Sequence, residues 1–363
     1  MMFAVIAGKE VLMEKVRLGI IGCGVIGTAH LRVAQRSPSI QVMAVADLIE
    51  EKACEAAENF GVETAYTNAD DLLADERVEG VVLAMPAAPR TELALRAFAK
   101  GKHVLTEKPV AMNAEEVQKM IKARGDLVAA CCSSRHRFQP HAQVVTDFIA
   151  GGDLGGLRVV HCRALQAAGE RPQSSPPPWR LSKSMNGGGI LVNWGCYDLD
   201  YLLGITGWTL KPMVVLAQTW QVPPQFESHV APGSDAEAHF ASLILCDGGA
   251  VISFERGEYM PAQSENAWKI IGTKGSLRLH MTPAKGKKII HDDTSTEKGV
   301  ISRVLWEGDE GWDTTHAGPI EDFAAAIREG REPKTSLEKA LIVQKITDAI
   351  YASAAQGKAV EIE

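Results

Sequence analysis

The sequence has no run approaching the roughly 20 consecutive apolar residues that a membrane-spanning helix needs. It also has no long basic run, in a chain whose formal net charge is −7. The first absence argues against membrane insertion, and the second against attraction to nucleic acid or an anionic bilayer through bulk charge. The seven cysteines (Cys23, Cys54, Cys131, Cys132, Cys162, Cys196 and Cys246) contain no Cys-x-x-Cys spacing. An odd, scattered set supports neither a disulfide framework nor a zinc site, and no other metal-binding pattern stands out. Most lie in apolar, strand-like surroundings and read as buried free thiols, which suits a reducing cytoplasm. A basic leader is missing too: Phe3 to Ala7 is apolar, but the run stops at Gly8-Lys9-Glu10, so a secretory signal is rejected. Residues 1–14 are read as an extension ahead of the first strand, with Met13 a second candidate start. What remains is an ordinary globular composition, 46% hydrophobic and 23% charged over 363 residues, long enough for two domains.

Val16 to Ile21, VRLGII, is a short continuous apolar run of the kind a strand buried on both faces shows. It leads into Gly22-Cys23-Gly24-Val25-Ile26-Gly27, a GxGxxG, then a helical stretch from about Thr28 to Arg36. After Pro38 a second strand, Gln41 to Ala46, ends at Asp47. In this order the glycines have separate physical tasks. Gly22 permits a tight turn, Gly24 lets the backbone approach a pyrophosphate, and Gly27 lets helix and strand pack closely. The N–H groups at the helix start, near Val25 and Ile26, then face the phosphates. Asp47, twenty residues after Gly27, is placed to accept from both ribose hydroxyls. Its charge repels a 2′-phosphate, neither Leu48 nor Ile49 is basic, and the nearest cation is Lys52, so NAD is favoured over NADP.

The alternation continues. A helix over about Glu50–Phe60 is followed by a strand at Gly80–Met85 ending at Pro86. A helix at Thr91–Lys100 then leads to a strand at His103–Thr106 and to Glu107-Lys108-Pro109. A further helix near Asn113–Arg124 and a strand at Leu127–Cys132 complete the series. This pattern predicts an α/β fold with a parallel, doubly wound sheet. Ligands bind such sheets beyond the carboxyl ends of the strands, so Asp47, Met85, Pro86, Glu107 and Lys108 are expected at one cofactor site. Downstream, Met213–Trp220, Ala238–Cys246, Ala250–Glu255 and Trp268–Ile271 follow one another without intervening helices, with turns at Asp247-Gly248-Gly249 and Lys274-Gly275. They predict a mostly antiparallel sheet.

From AFAKGKHVLTEKP (Ala97–Pro109), through RFQP (Arg137–Pro140), GGDLGGLRVV (Gly151–Val160) and GGG (Gly187–Gly189), to the closing IEDFAAAIREGREPKTS and GKAVEI, the chain resembles the glucose–fructose oxidoreductase / inositol dehydrogenase / MocA family. The resemblance implies an N-terminal nucleotide-binding domain over residues 15–138. It implies a C-terminal α/β domain over 139–363 with a large antiparallel sheet, which binds substrate and pairs subunits into homodimers or homotetramers. The helical stretch Thr335–Gln356 is expected to return to the first domain. The resemblance also implies a cis peptide before Pro109 and places Lys108 beside the nicotinamide and the substrate hydroxyl. Partial desolvation there disfavours the charged amine and brings it toward the working range of a proton acceptor.

Ile190 to Leu203 fit a helix ended by Gly204, and residues four apart share a face, so Asn193 and Tyr197 project together. The preceding glycines are expected to give the nicotinamide room. The family usually has aspartate and histidine where this chain has Asn193 and Tyr197. Asparagine keeps the hydrogen bonds and loses the charge. A phenol, with reference pKa about 10, is a better acid than base at neutral pH, although Lys108 nearby could lower it. The family's Pro-Asn-x-x-His is here Pro86-Ala87-Ala88-Pro89-Arg90, and Arg90 is either a residue facing an anionic group or a solvated helix start. Arg137 is a cofactor contact or a structural ion pair. Trp179 and Arg180, on the loop after Ser174-Ser175-Pro176-Pro177-Pro178, are candidates to cover a sugar ring. His316, with Trp312, is a candidate to reach the pocket.

These residues suggest an NAD-dependent dehydrogenase or reductase. Hydride passes between nicotinamide and a carbon of a sugar, polyol or glycoside, Lys108 and Tyr197 handle the proton, and Asn193 orients hydroxyls. A redox-neutral enzyme with tightly held NAD is the second reading, and a non-catalytic NAD-binding regulator the third.

Overall fold

The computed structural model describes residues 14–174, 176–312 and 315–363. The expected extension therefore lies outside the described residues except for Glu14, as does Ser175 of the proline-rich loop. The first half alternates as expected: β1 (Val16–Ile21), α1 (Val25–Arg36), β2 (Ile40–Ala46), α2 (Glu50–Phe60), β3 (Thr64–Tyr66), α3 (Ala69–Ala74), β4 (Gly80–Leu83), α4 (Arg90–Ala99), β5 (His103–Thr106), α5 (Ala114–Arg124) and β6 (Ala129–Cys131). These strands form a six-stranded sheet of order β3-β2-β1-β4-β5-β6, parallel at every pairing. β3 and α3 were not expected from the sequence, because a three-residue strand is too short to show a period. Local chemistry sets several helix ends: the Asn113 side chain accepts the Glu116 N–H at the start of α5, and Gly61 takes a left-handed conformation that stops α2.

The second half contains α6 (Pro140–Ala150), β7 (Leu157–Ala167), α7 (Lys183–Asn186), α8 (Cys196–Ile205), β8 (Pro212–Trp220), β9 (His239–Cys246), β10 (Val251–Met260), β11 (Glu265–Gly272), β12 (Gly275–Leu279), β13 (Lys287–Ser295) and β14 (Gly299–Gly308). It closes with α9 (Ala317–Glu329), α10 (Leu337–Gln356) and β15 (Val360–Glu361). The nine-stranded sheet has the order β14-β13-β12-β11-β7-β10-β9-β8-β15. It is antiparallel except where β10 lies parallel to β7, because the chain leaves after β7 and returns only after building α7, α8, β8 and β9. One face is the core side, where Phe240, Phe254, Trp268 and Ile270 pack with Tyr201, Leu202 and Leu203 of α8. The other carries Leu216, Trp220, Leu243 and Leu245, all about half exposed. Among the described residues, no helix is long and apolar enough to cross a membrane.

Both terminal helices return to the first half of the chain. Leu337 and Ala340 at the start of α10 join the core on one side of the parallel sheet, while Val343, Ile346 and Ile350 join the core of the larger sheet. The sequence reading assigned the return to this helix alone. The opposite side of the parallel sheet is sealed by α9, whose Ile320, Phe323 and Ala324 pack with Leu18 and Ile20. The boundary at 138/139 thus divides the chain but not the core. Phe323→Ala is expected to cost about 3–5 kcal/mol, the range for emptying a buried aromatic position. Denaturant unfolding followed by tryptophan fluorescence measures it, and a change below about 1 kcal/mol would show that α9 does not seal this core.

Candidate functional site

The cofactor end is built by the turn between β1 and α1. The helix begins at Val25, three residues earlier than expected, so Gly27 sits in its first turn. A Cβ on Gly27 would lie 1.8 Å from the Gly22 carbonyl oxygen, which is the close approach its position called for. No side chain caps the N-terminus of α1 and no acid sits in its first turn, so its N–H groups stay open to an anion. The two Asp47 carboxylate oxygens accept from the Cys23 N–H (2.8 Å) and the Ile49 N–H (2.9 Å). Each oxygen retains a lone pair for a ribose hydroxyl. Val25 and Leu48 stand almost fully exposed beside this turn, and Met85 and Pro86 follow the end of β4. These residues fit a dinucleotide.

At the end of β5 the Lys108–Pro109 peptide is cis. The Lys108 amine donates to Asn193 Oδ1 (2.8 Å) and to the Asn193 carbonyl (3.1 Å). Burial pushes the amine below the ordinary lysine value, and Arg135 and Arg90 push the same way against Cys196 and Glu107. Glu107 is buried: its Oε1 meets His30 Nε2 at 2.9 Å and Arg135 Nη2 at 3.2 Å, and its Oε2 accepts the Lys108 N–H at 3.1 Å. Burial alone would raise this carboxyl, but Arg135 and His30 hold it well below the usual range. Arg90 is neither solvated nor facing an anion. It is buried, and its guanidinium donates to the carbonyls of Met85, Glu107 and Pro109, clamping the ends of β4 and β5 together.

The three glycines serve the protein itself. Gly187 is left-handed (φ +81°) and stops α7. A Cβ on Gly188 would lie 1.9 Å from the Tyr351 hydroxyl, and one on Gly189 would lie 1.8 Å from the Glu237 carbonyl oxygen. The buried Glu237 carboxylate accepts the N–H groups of Gly189 and Leu191, each at 3.0 Å, and the Tyr351 hydroxyl at 2.9 Å. The space beside Gly188 and Gly189 is taken by the Tyr351 hydroxyl and the Glu237 main chain. The next segment is not one regular helix either. Leu191–Gly195 is a π turn, and α8 runs on to Ile205, with Gly204 inside it because the Arg137 side chain lies against its Cα.

Asn193 and Tyr197 nevertheless project together, and the Lys108 amine is 5.2 Å from the centroid of the Tyr197 ring. The expectation that Lys108 would ease deprotonation of Tyr197 fails. Burial holds the phenol well above its usual value, and the opposing charge is that of Arg135. Arg135 and His136, on the 3-10 turn after β6, were missed by the sequence reading. The guanidinium lies 5.2 Å from the same ring centroid, and His136 meets the ring edge-on at 5.4 Å. Trp194 and Trp312 close around them, Trp312 lying 6.0 Å from His136. The rule that found Lys108, looking beyond strand ends, would have found Arg135 had it been applied to β6.

The remaining candidates separate. Arg137 is an ion pair: it donates to Asp200 at 2.7 Å, to the Lys334 carbonyl at 2.6 Å and to Thr335 Oγ1. Arg180 is held by Glu258 and by the Tyr259 hydroxyl (2.9 Å), and Trp179 beside it is about half exposed. His316 stands at the start of α9, its imidazole lowered to about 4 by burial, with Arg135 adding to the shift and Glu107 opposing it. Its ring nitrogen Nδ1 lies 3.3 Å from the Thr315 hydroxyl. His30, Glu107 and Cys132 come close enough to share an ion. Arg135 already occupies that carboxylate, however, and burial pushes the Cys132 thiol well up, so the trio is a hydrogen-bonded support. A cavity of about 770 Å³ lined by Arg171, Gln221, Glu227 and Ser234 contains none of these groups.

Comparison with known proteins agrees with this geometry. The profile described as oxidoreductase family, NAD-binding Rossmann fold, matches residues 16–131, and that of the GFO/IDH/MocA C-terminal domain matches 142–278. Myo-inositol 2-dehydrogenase of Thermotoga maritima is 22% identical, over 96% of this chain and 98% of its own length. Levoglucosan dehydrogenase of Pseudarthrobacter phenanthrenivorans is 26% identical, over 96% and 99%. A solved levoglucosan dehydrogenase complex with NADH aligns with a TM-score of 0.84 at 25% identity, covering 96% of this chain and 100% of the other. The two profiles fall in chain order on the two sheets, and the chain belongs to the glucose–fructose oxidoreductase / inositol dehydrogenase / MocA family of NAD-binding oxidoreductases.

Proposed function

We propose that the protein interconverts a secondary alcohol and a ketone on a sugar, polyol or glycoside. The observation that carries this reading is the Lys108 amine, partly buried and aimed by Asn193 at the carboxyl end of β5. NAD, held by the glycine turn and Asp47, supplies the hydride acceptor when bound. In the oxidative direction the substrate hydroxyl proton passes to the neutral Lys108 amine, which burial makes more available than an ordinary lysine's. Asn193 does not titrate and serves to orient the amine. Tyr197 stays protonated and acts as a hydrogen-bond donor to the substrate, not as the base. The names of the relatives, inositol and levoglucosan dehydrogenases, support a polyhydroxylated substrate.

The same two residues favour a second reading, redox-neutral chemistry on tightly held NAD, in which no proton need leave the site for net turnover. Product formed by the purified protein without added NAD would select it. The apolar outer face of the nine-stranded sheet, with Leu216, Trp220, Leu243 and Leu245, supports pairing of two subunits across that face.

Lys108→Met is expected to lower NADH formation by about 10²–10⁴-fold while leaving NAD binding, followed by fluorescence titration, within a few-fold of the parent. Normal turnover in this variant would remove Lys108 from the chemistry. For the parent, kcat/KM for oxidation should rise with pH and level off above a pKa lower than the ordinary lysine 10.5, because the amine accepts a proton only when neutral. Tyr197→Phe should keep that rising limb. If the limb vanishes with the phenol, Tyr197 is the base instead.

A further inference from the structure

Three side chains near Lys108 are at least nine-tenths buried and carry polar atoms without partners: the Tyr197 hydroxyl, Arg135 Nε and His136 Nδ1. They form one cluster. Arg135 and Lys108 each lie 5.2 Å from the centroid of the Tyr197 ring, and His136 packs against the same ring. Leaving such a group buried and unpaired costs about 1–3 kcal/mol, so three together mark a place where a ligand completes the hydrogen bonding.

Charge indicates which ligand. Among the described residues, Lys108 and Arg135 face a single carboxylate, Glu107, whose Oε1 is shared between His30 and Arg135. Arg90, also buried, is bonded to carbonyl oxygens alone. The direct partner of the Lys108 amine is the neutral Asn193 amide. The neighbouring acids are already paired, Asp198 with Arg256 and Asp200 with Arg137, and an oxidised nicotinamide ring would add one more positive charge. His136, kept neutral by burial and by the adjacent Arg135, presents a donor or an acceptor according to its tautomer.

We propose that the substrate carries a carboxylate close to the hydroxyl it presents to Lys108, as an aldonate or uronate does, and that the Tyr197 hydroxyl and Arg135 Nε–H donate to that carboxylate. This rests on the alcohol–ketone reaction proposed above and narrows its substrate. A carboxylate accepts from both donors at once and offsets the excess of cations, whereas a neutral sugar leaves the positive charge uncompensated in a desolvated site.

The test uses matched pairs, gluconate against glucose and glucuronate against methyl glucoside, with the NAD-saturated protein and kcat/KM as readout. The acid should be favoured by about tenfold or more. Asn193→Asp, which gives Lys108 a carboxylate of its own, should cut that ratio by about tenfold. Tyr197→Phe should raise KM for the acid more than for its neutral partner. A neutral sugar used as well as its acid, or a ratio that Asn193→Asp leaves unchanged, overturns the proposal while leaving the oxidoreductase reading intact. If no member of either pair is turned over, the reaction reading fails. Calorimetric binding of gluconate and glucose to the NADH complex then decides this proposal separately: tighter binding of gluconate that weakens in Asn193→Asp supports it, and equal binding overturns it.

Discussion

The structure depends on one hydrogen bond, from the Lys108 amine to Asn193 Oδ1 at 2.8 Å. It joins the end of a strand in the parallel sheet to the π turn that opens α8, and so couples the nucleotide-binding half to the half that faces the other sheet. An amine in this position is costly because it has left water. Its partner is an amide, which fixes direction without neutralising charge. One arrangement therefore aims the amine and disfavours its charged form, the combination a proton acceptor needs.

Two buried carboxylates hold the ends of that bond in place. On the lysine side, Glu107 ties the Lys108 backbone to His30 on α1 and to Arg135 after β6, so the helix that carries the glycine turn also fixes the position of the Lys108 backbone. On the asparagine side, Glu237 caps the first turns after the glycines together with Tyr351 of α10. Arg90 gathers three carbonyls at the ends of β4 and β5. Removing Glu107 would leave Arg135 as an uncompensated buried charge, and removing Glu237 would leave the buried Gly189 and Leu191 N–H groups without an acceptor.

The fold could be read from the sequence where its signals are local. Continuous apolar runs gave the strands, and the glycine spacing together with Asp47 gave the nucleotide site. Lys108 was found through a motif and a strand-end rule. Arg135, His136 and His30 were missed, because what brings them to the candidate site is contact with groups far along the chain: His30 and Glu107 are separated by 77 residues and Lys108 and Asn193 by 85. Arg137, two residues from Arg135, drew attention because its motif is familiar, yet its charge is used on Asp200.

The sequence by itself determined the alternation of strands and helices, the dinucleotide turn and the acid that favours NAD, because each follows from spacing within a few tens of residues. Only the tertiary structure decided what the three glycines make room for, which cations surround Tyr197 and in which direction burial moves Lys108 and Tyr197. Those outcomes depend on burial and on charges brought together across the fold, and the same side chains would titrate differently in water. The glycines of Gly187–Gly189 yield to Glu237 and Tyr351, and the phenol that stood four residues from Asn193 in the sequence keeps its proton in the fold.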